Sequence, residues 1–463
     1  MRRMLTMTLL VGLVAPAALL ASEPVKIGSR LELFVDDHVI DKLAGDASLQ
    51  LHRPQPHEVV LVTDKPWEGN TSAYYTIFRD GDLYRAYYRG SHWDEVAKKA
   101  THPEVVCYAE SKDGVHWTKP ELGLCEFNGS KQNNIVWDGI GTHCFAAFKD
   151  TNPDCAADAR YKGIARGRPT GKKGLYIFKS PDGIHWTRIK DEPVITNGYF
   201  DSQNLAFWDA HAKTYREYHR TFVDGVRAIM TGTSSDYVNW TEPVLLNYGA
   251  APNQHLYTNA VQPYDRAPHI LLGFPTRYLP SEGQRVEPTL MASHDGLNFK
   301  RWLDPIIPED APEDRDGNRS NYMTWGLVQL PSNDKEYSVY ATEAYYTGPD
   351  SRVRRFSYRV DGFVSLRGEG EGGSLVTKPL VFDGDELQLN FSTKDAGTVR
   401  VELQDADGKP LEGYSLADCQ PLQGDAIRQA VAWSGGSLGS LAGKPVRLRF
   451  DVKAADIYSF KFE

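Results

Sequence analysis

The chain has 463 residues, 41% hydrophobic and 24% charged, an ordinary composition for a folded globular protein. Its net charge is −9 and no basic stripe interrupts the sequence, which argues against a nucleic-acid partner. The 24 Tyr and 10 Trp favour β-strands, and the same rings make surfaces on which sugars stack.

The first 21 residues read as an export signal. Arg2 and Arg3 form a basic start, Met4 to Leu20 is apolar, and cleavage after Ala21 places a small residue at the scissile bond. A membrane anchor fits less well, because Ser22, Glu23 and Pro24 follow the apolar run at once. The mature protein is therefore expected to be secreted or periplasmic, with no membrane contact. Cys107, Cys125, Cys144, Cys155 and Cys419 are an odd set, so one at least stays unpaired. Cys107–Cys125 and Cys144–Cys155 are both open as pairs.

Beyond the signal, a short box recurs. Ser111-Lys-Asp-Gly-Val-His-Trp117 returns as Ser180-Pro-Asp-Gly-Ile-His-Trp186. Looser copies are Ser234-Ser-Asp-Tyr-Val-Asn-Trp240 and Ser293-His-Asp-Gly-Leu-Asn-Phe299, with a worn copy at Asp361-Gly-Phe363. The spacing is that of a four-stranded propeller blade with its loops. Ser and Asp cap a tight turn, Gly admits positive φ and the aromatic ring buries, so each box is expected to close the hairpin between a blade's third and fourth strands. Two strand-like runs precede each box: 74–79 with 83–88, 144–149 with 160–165, 203–208 with 214–218, 259–264 with 269–274, and 325–330 with 336–341.

The sequence thus predicts an all-β chain: a five-bladed propeller over 22–366, with Leu31–Ile40 closing the ring. The Gly-rich stretch Arg367–Gly373 marks a boundary, and alternating runs at 387–391, 398–403 and 446–452 predict a β-sandwich over 367–463.

In a propeller, the start of each inner strand and the end of the next strand share one face, so these segments should line one pocket. The inner-strand starts supply Glu68, Asn70, Asp138, His143, Asp201, Gln203, Asn204, Tyr257, Asn259 and Trp325. The second-strand ends supply Arg89, His92, Arg166, His219, Arg220, Arg277, Glu343 and Tyr345. Carboxylates, arginines and aromatics crowded together suit carbohydrate.

Glycosidic cleavage needs one protonated and one ionised carboxyl. Asp201 and Glu343 are the first candidates, then Glu68. Asp138 is placed to orient a group or bind a hydroxyl. The bland alternative for each is a rim or loop-capping carboxylate, and for the histidines substrate positioning or structure. No HExxH or phosphate loop is present, and no metal-ligand spacing. No cofactor is called for, although a Ca²⁺ ion held by oxygen atoms in an axial channel would leave no spacing signature.

The boxes, with carboxylates at inner-strand starts, resemble the five-bladed glycoside hydrolases of families 32 and 43 over Leu31–Leu366. The stretches Arg30–Asp37, Pro66–Asn70, Phe200–Asn204 and Asp361–Leu366 resemble exported bacterial proteins described as glycosidase-like. This resemblance implies a base at Glu68, a modulating carboxylate at Asp138 and a proton donor at Asp201. The chain departs from the pattern by Glu68-Gly69 where those families place Asp, often before Pro, and by Asp201 where they place Glu. Glu343 has no counterpart. The boxes also resemble those of sialidases, but a sialidase needs six blades.

The function expected from this is hydrolysis of a plant, algal or microbial polysaccharide or oligosaccharide. A non-catalytic carbohydrate-binding propeller is the alternative, and a His/Tyr-based lyase or isomerase the third reading.

Overall fold

A computed structural model describes residues 23–308 and 322–463. The export signal, and with it localisation, falls outside the described residues. Within them the only helical turn is Ala157–Ala159, and no helix is long and apolar enough to cross a membrane.

Five antiparallel sheets dominate, the first of five strands and the other four of four. In chain order the first three strands of each are Ala73–Asp80, Leu83–Gly90 and Val105–Ser111; Ala146–Lys149, Tyr161–Arg166 and Leu175–Ser180; Leu205–Asp209, Thr214–Val223 and Val226–Ser234; Gln262–Tyr264, Ala267–Gly273 and Leu290–Ser293; and Val328–Leu330, Asn333–Glu343 and Arg352–Arg359. Their central strands are buried on both faces, as in Leu175–Ser180, because each sheet packs between two others.

The recurring boxes do the structural work expected of them. In the first four sheets the box Ser hydroxyl accepts a hydrogen bond from the Asp amide, and Asp Oδ1 accepts from the amides two and three residues on. Gly114, Gly183 and Gly296 take φ of 75°, 80° and 77°, and in the loosest copy Tyr237 occupies the same left-handed conformation.

A cycle of hydrogen bonds joins the sheets into a ring. Tyr87 of the first donates to the Gly183 carbonyl of the second (2.7 Å), whose Gly163 carbonyl accepts from Tyr237 of the third (2.8 Å). Tyr218 of the third donates to the Gly296 carbonyl of the fourth (2.9 Å), and Tyr264 of the fourth to Asp361, just after the fifth (2.6 Å). Tyr340 of the fifth returns to the Gly114 carbonyl of the first (2.8 Å). Gly114, Gly183 and Gly296 therefore turn their own chain and also offer the preceding sheet an acceptor. Tyr87→Phe, which leaves the buried Gly183 carbonyl without its donor, is expected to cost about 1–3 kcal/mol in denaturant unfolding.

Ring closure departs from expectation. Leu31–Leu33 pairs with the last strand of the chain, Arg447–Phe462, and Ile40–Leu51 pairs with Val364–Thr377. The fourth strand of the fifth sheet is instead Gln55–Val62, antiparallel to Arg352–Arg359. Pro56 lies in this strand, and an edge strand tolerates proline.

The boundary at 366/367 shifts for a related reason. Arg367–Gly373 lies inside the strand Val364–Thr377 as a break in register, and the C-terminal sheet takes strands from both chain ends: 31–33, 40–51, 364–377, 387–404, 425–430 and 447–462. The parallel pair Val25–Gly28 with Leu380–Phe382 adds Ile27 and Phe382 to the same core. All five cysteines are free, so neither candidate pair forms a disulfide.

Candidate active site

In an antiparallel blade the start of the first strand, the end of the second and the start of the third reach one edge of the sheet. Side chains from all five sheets meet there. The first contributes Tyr74, Arg89 and Glu104; the second His143 and Arg166; the third Asp201, Arg220 and Arg227; the approach to the fourth Tyr257; the fifth Tyr322 and Tyr345.

Contacts run round this rim. Arg89 donates to the Tyr345 hydroxyl at 3.0 Å and to the Thr71 carbonyl at 2.6 Å, and stacks over Tyr74 at 4.9 Å. His143 Nδ1 lies 2.9 and 3.0 Å from the two Glu104 oxygens, and its Nε2 is 2.7 Å from Asp201 Oδ1. Arg166 pairs with the same Asp201 oxygen. Arg220 and Arg227 lie 5.2 and 5.0 Å from the Tyr257 ring, which meets Tyr322 edge-on, and Tyr322 meets Tyr345. Tyr74, Ala344 and Tyr346 all hold positive φ here, a concentration of backbone strain typical of functional sites.

Asp201 is the open carboxylate of the group, its side chain 56% exposed. It separates two clefts. One, of about 410 Å³, is walled by His102, Glu104, His143 and Arg166; the other, of about 320 Å³, by Arg166, Lys173 and Tyr199. The hydrogen bond from His143 holds the Asp201 carboxyl well below the usual carboxylate range; partial burial opposes this, and the charges of His143, Arg166 and Arg220 reinforce it. Burial pushes Glu104 upward, but His143, Arg89 and Arg166 outweigh it and leave its carboxyl lowered. Arg89 Nη1 also stands 3.3 Å from His143 Nδ1, so the imidazole lies between a cation and two carboxylates.

The remaining expected residues sit elsewhere or play other parts. Glu68 is buried, accepting from Tyr88 and Lys119, each at 2.6 Å. Glu343 is buried against Arg354, at 2.6 Å. Asp138 ends the strand Ile135–Asp138, which pairs on the outer side of the first sheet. It is exposed beside Cys125, whose thiol burial and Asp138 together push up to about 11. The inner strand of the second sheet runs Ala146–Lys149, close to the expected 144–149, and Asp138 lies eight residues before it on a separate strand of the first sheet.

Asn70 ties the Trp93 and Gly348 carbonyls, and its amide approaches His92 Nδ1. Gln203 donates to the Tyr75 carbonyl and Trp325 to that of Val261, lacing inner strands together at the axis. Asn204 donates to the Phe200 and Ser202 carbonyls and Asn259 to that of Tyr218. Arg277 pairs with Glu287. His219, fully buried, is held by Glu217 and donates to the Asn197 carbonyl, fixing the loop that leads to Asp201.

Glu104 and Arg227 were not among the expected residues. Each lies at or beside the start of a third strand, the edge position the sequence reading left out.

No family model matches the chain. Over 139 residues it is 32% identical to an uncharacterised protein of Mycobacterium tuberculosis, a stretch covering 29% of this chain and 40% of that protein. The chain thus spans about two-fifths of the length of the curated relatives it matches. Among solved structures it is similar to a β-1,2-mannobiose phosphorylase from Listeria innocua, at 14% identity and TM-score 0.46 over 67% of this chain and 97% of that one. It is also similar to a family 43 arabinoxylan arabinofuranohydrolase from Bacillus subtilis, at 13% identity and TM-score 0.43 over 89% and 99%. At these identities the functional reading rests on the chain's own residues.

Proposed function

We propose that this protein is an exported glycoside hydrolase whose reacting groups are Asp201 and His143. The observation that carries the proposal is the Glu104–His143–Asp201 chain at an open cleft that Arg166 and Arg168 also line. His143 supplies a proton to the leaving glycosidic oxygen as the C–O bond breaks. Asp201, kept ionised, accepts on its second oxygen the proton of the water that adds at the anomeric carbon. At 2.7 Å from His143 it stands closer to the donor than the about 5 Å or more of a two-carboxylate glycosidase, so the two groups act from one side of the bond. Glu104 positions the imidazole. This gives Asp201 the basic part rather than the donor's part that the family resemblance implies.

The substrate side follows from charge and shape. Arg89, Arg166, Arg220 and Arg227 outnumber Glu104 and Asp201, which favours saccharides carrying carboxylate or sulfate groups. Tyr199, exposed on the second cleft, offers a ring face to the pyranose. Release of reducing ends is expected from acidic polysaccharides before neutral ones in a panel of plant, algal and microbial glycans.

A second reading, a carbohydrate-binding propeller without turnover, is favoured by one observation: Glu68 and Glu343 are both neutralised by buried cations. Binding of acidic glycans with no new reducing ends or unsaturated product, at any pH between 4 and 9 (roughly the span in which carboxyl, imidazole and thiol groups titrate), would establish that reading and end the hydrolytic one.

A further inference from the structure

Far from the rim, Glu32, His269 and His294 converge. Glu32 lies on Leu31–Leu33, the strand that pairs with the C-terminal sheet. His269 is on the second strand of the fourth sheet, and His294 is in that sheet's box. One ligand atom from each lies within 4.8 Å of the other two. Glu32 is 0% exposed and His269 5%.

Three polar atoms here lack a hydrogen-bond partner: Glu32 Oε2, His269 Nε2 and His294 Nε2. His269 Nε2 is 3.3 Å from Glu32 Oε1 and His294 Nε2 3.7 Å from Oε2, ion-pair distances that do not meet hydrogen-bond geometry. Buried donors and acceptors facing each other unsatisfied are costly unless something stands between them. Two outer contacts support the group. Asp36 Oδ2 holds His294 Nδ1 at 2.8 Å, which turns Nε2 inward, and Arg30 donates to Glu32 Oε1 at 3.2 Å. A carboxylate behind a histidine is the usual support of a metal-bound imidazole.

We propose that Glu32, His269 and His294 bind a divalent transition-metal ion of the Zn²⁺ class. Two nitrogens and a carboxylate oxygen suit that ion, and the fourth tetrahedral position is left to water. Donors about 2.1 Å from one tetrahedral ion stand about 3.4 Å apart, so a pair at the 4.8 Å limit draws in by about 1.4 Å, which side-chain rotation of Glu32 and the two histidines must supply. The ion would clamp Leu31–Leu33, and with it the C-terminal sheet, to the fourth blade. The site is separate from the Asp201 cleft and independent of any reading of it.

The test uses the full chain, stripped with a chelator and titrated with Zn²⁺. About one ion per chain is expected, with a raised melting temperature that the chelator reverses. His269→Gln should weaken uptake by more than the ~10–100-fold that loss of an outer partner costs, and its melting temperature should ignore Zn²⁺. His211→Gln, a neighbour outside the ligand set, should behave as wild type. If His269→Gln does not fold, Co²⁺ loaded into the wild-type chain decides, because tetrahedral Co²⁺ absorbs in the visible. Substoichiometric Zn²⁺ uptake by the folded wild type, a colourless Co²⁺ mixture, or unchanged uptake in His269→Gln would each overturn the proposal and leave a plain ion-paired cluster.

Discussion

Asp201→Asn is expected to lower kcat by about 10²–10⁴-fold, the range that loss of a positioned general base produces. The substitution keeps the shape of the side chain and its place between His143 and Arg166, but an amide cannot take the proton of the attacking water. KM should move little, because the arginines and Tyr199 that hold the sugar stay in place. His143→Gln should cost a similar factor by removing the donor.

Glu104→Gln should act differently, as befits a positioning residue. It weakens the contact that orients the imidazole, so kcat should fall by less than in His143→Gln while substrate affinity holds. The acid limb of the pH–rate profile has its own signature. Asp201 is held ionised by His143 and Arg166, so a depressed carboxyl keeps its charge as pH falls through the ordinary carboxylate range. Its protonation, and the rate loss that goes with it, belongs below that range. Steady-state kinetics on the best acidic glycan check all three variants. An Asp201→Asn enzyme with wild-type kcat would remove Asp201 from the chemistry.

Much of this architecture is legible in the sequence because the boxes encode it locally. A Ser, an Asp and a Gly at fixed offsets dictate a turn whatever surrounds them, and four such turns fix four hairpins. The convergence of polar segments on one mouth follows from strand direction alone. Ring closure and the domain boundary are not local. Leu31–Leu33 and Gln55–Val62 are both short strands with free edges, and only their tertiary partners decide which joins the propeller. Likewise Arg367–Gly373 has the composition of a linker, yet its glycines sit in a strand where the backbone of Val452 passes close to Gly368.

The site was half legible. Arg89, His143, Arg166, Asp201, Arg220, Tyr257 and Tyr345 come together as strand order requires. Glu68 and Glu343 have the right chemistry and placement, but what neutralises them is distant in sequence or on another strand: Lys119 reaches back to Glu68, and Arg354 crosses from the neighbouring strand to Glu343. A carboxylate's availability depends on such partners, which strand order does not reveal. The His269–His294–Glu32 group was invisible for the same reason, since its members belong to three separate segments with no metal-ligand spacing.

Asp361→Ala is expected to destabilise the protein by about 3–5 kcal/mol, the largest stability effect of any single substitution proposed for this chain. Asp361 is fully buried where the fifth blade hands over to the C-terminal sheet. Its Oδ1 accepts from Tyr264 at 2.6 Å and Arg266 at 3.0 Å, and its Oδ2 from Ser459 at 2.6 Å and Asn390 at 3.1 Å. One carboxylate thus joins the fourth blade to two strands of the C-terminal sheet. Alanine leaves the Tyr264 hydroxyl, the Asn390 amide and the Ser459 hydroxyl facing a void, and it also suits the φ of 62° at this position less well than Asp does. Two controls divide these effects. Asp361→Gly relieves the backbone but not the orphaned donors, so it should recover only about 1 kcal/mol. Asp361→Asn keeps one acceptor oxygen but turns an amide donor toward Asn390, and should fall between wild type and Ala. Denaturant unfolding of the three variants gives the order wild type, Asn, Gly, Ala. An Ala variant within about 1 kcal/mol of wild type, below the usual cost of one unmade buried hydrogen bond, would mean that the two domains are held together elsewhere.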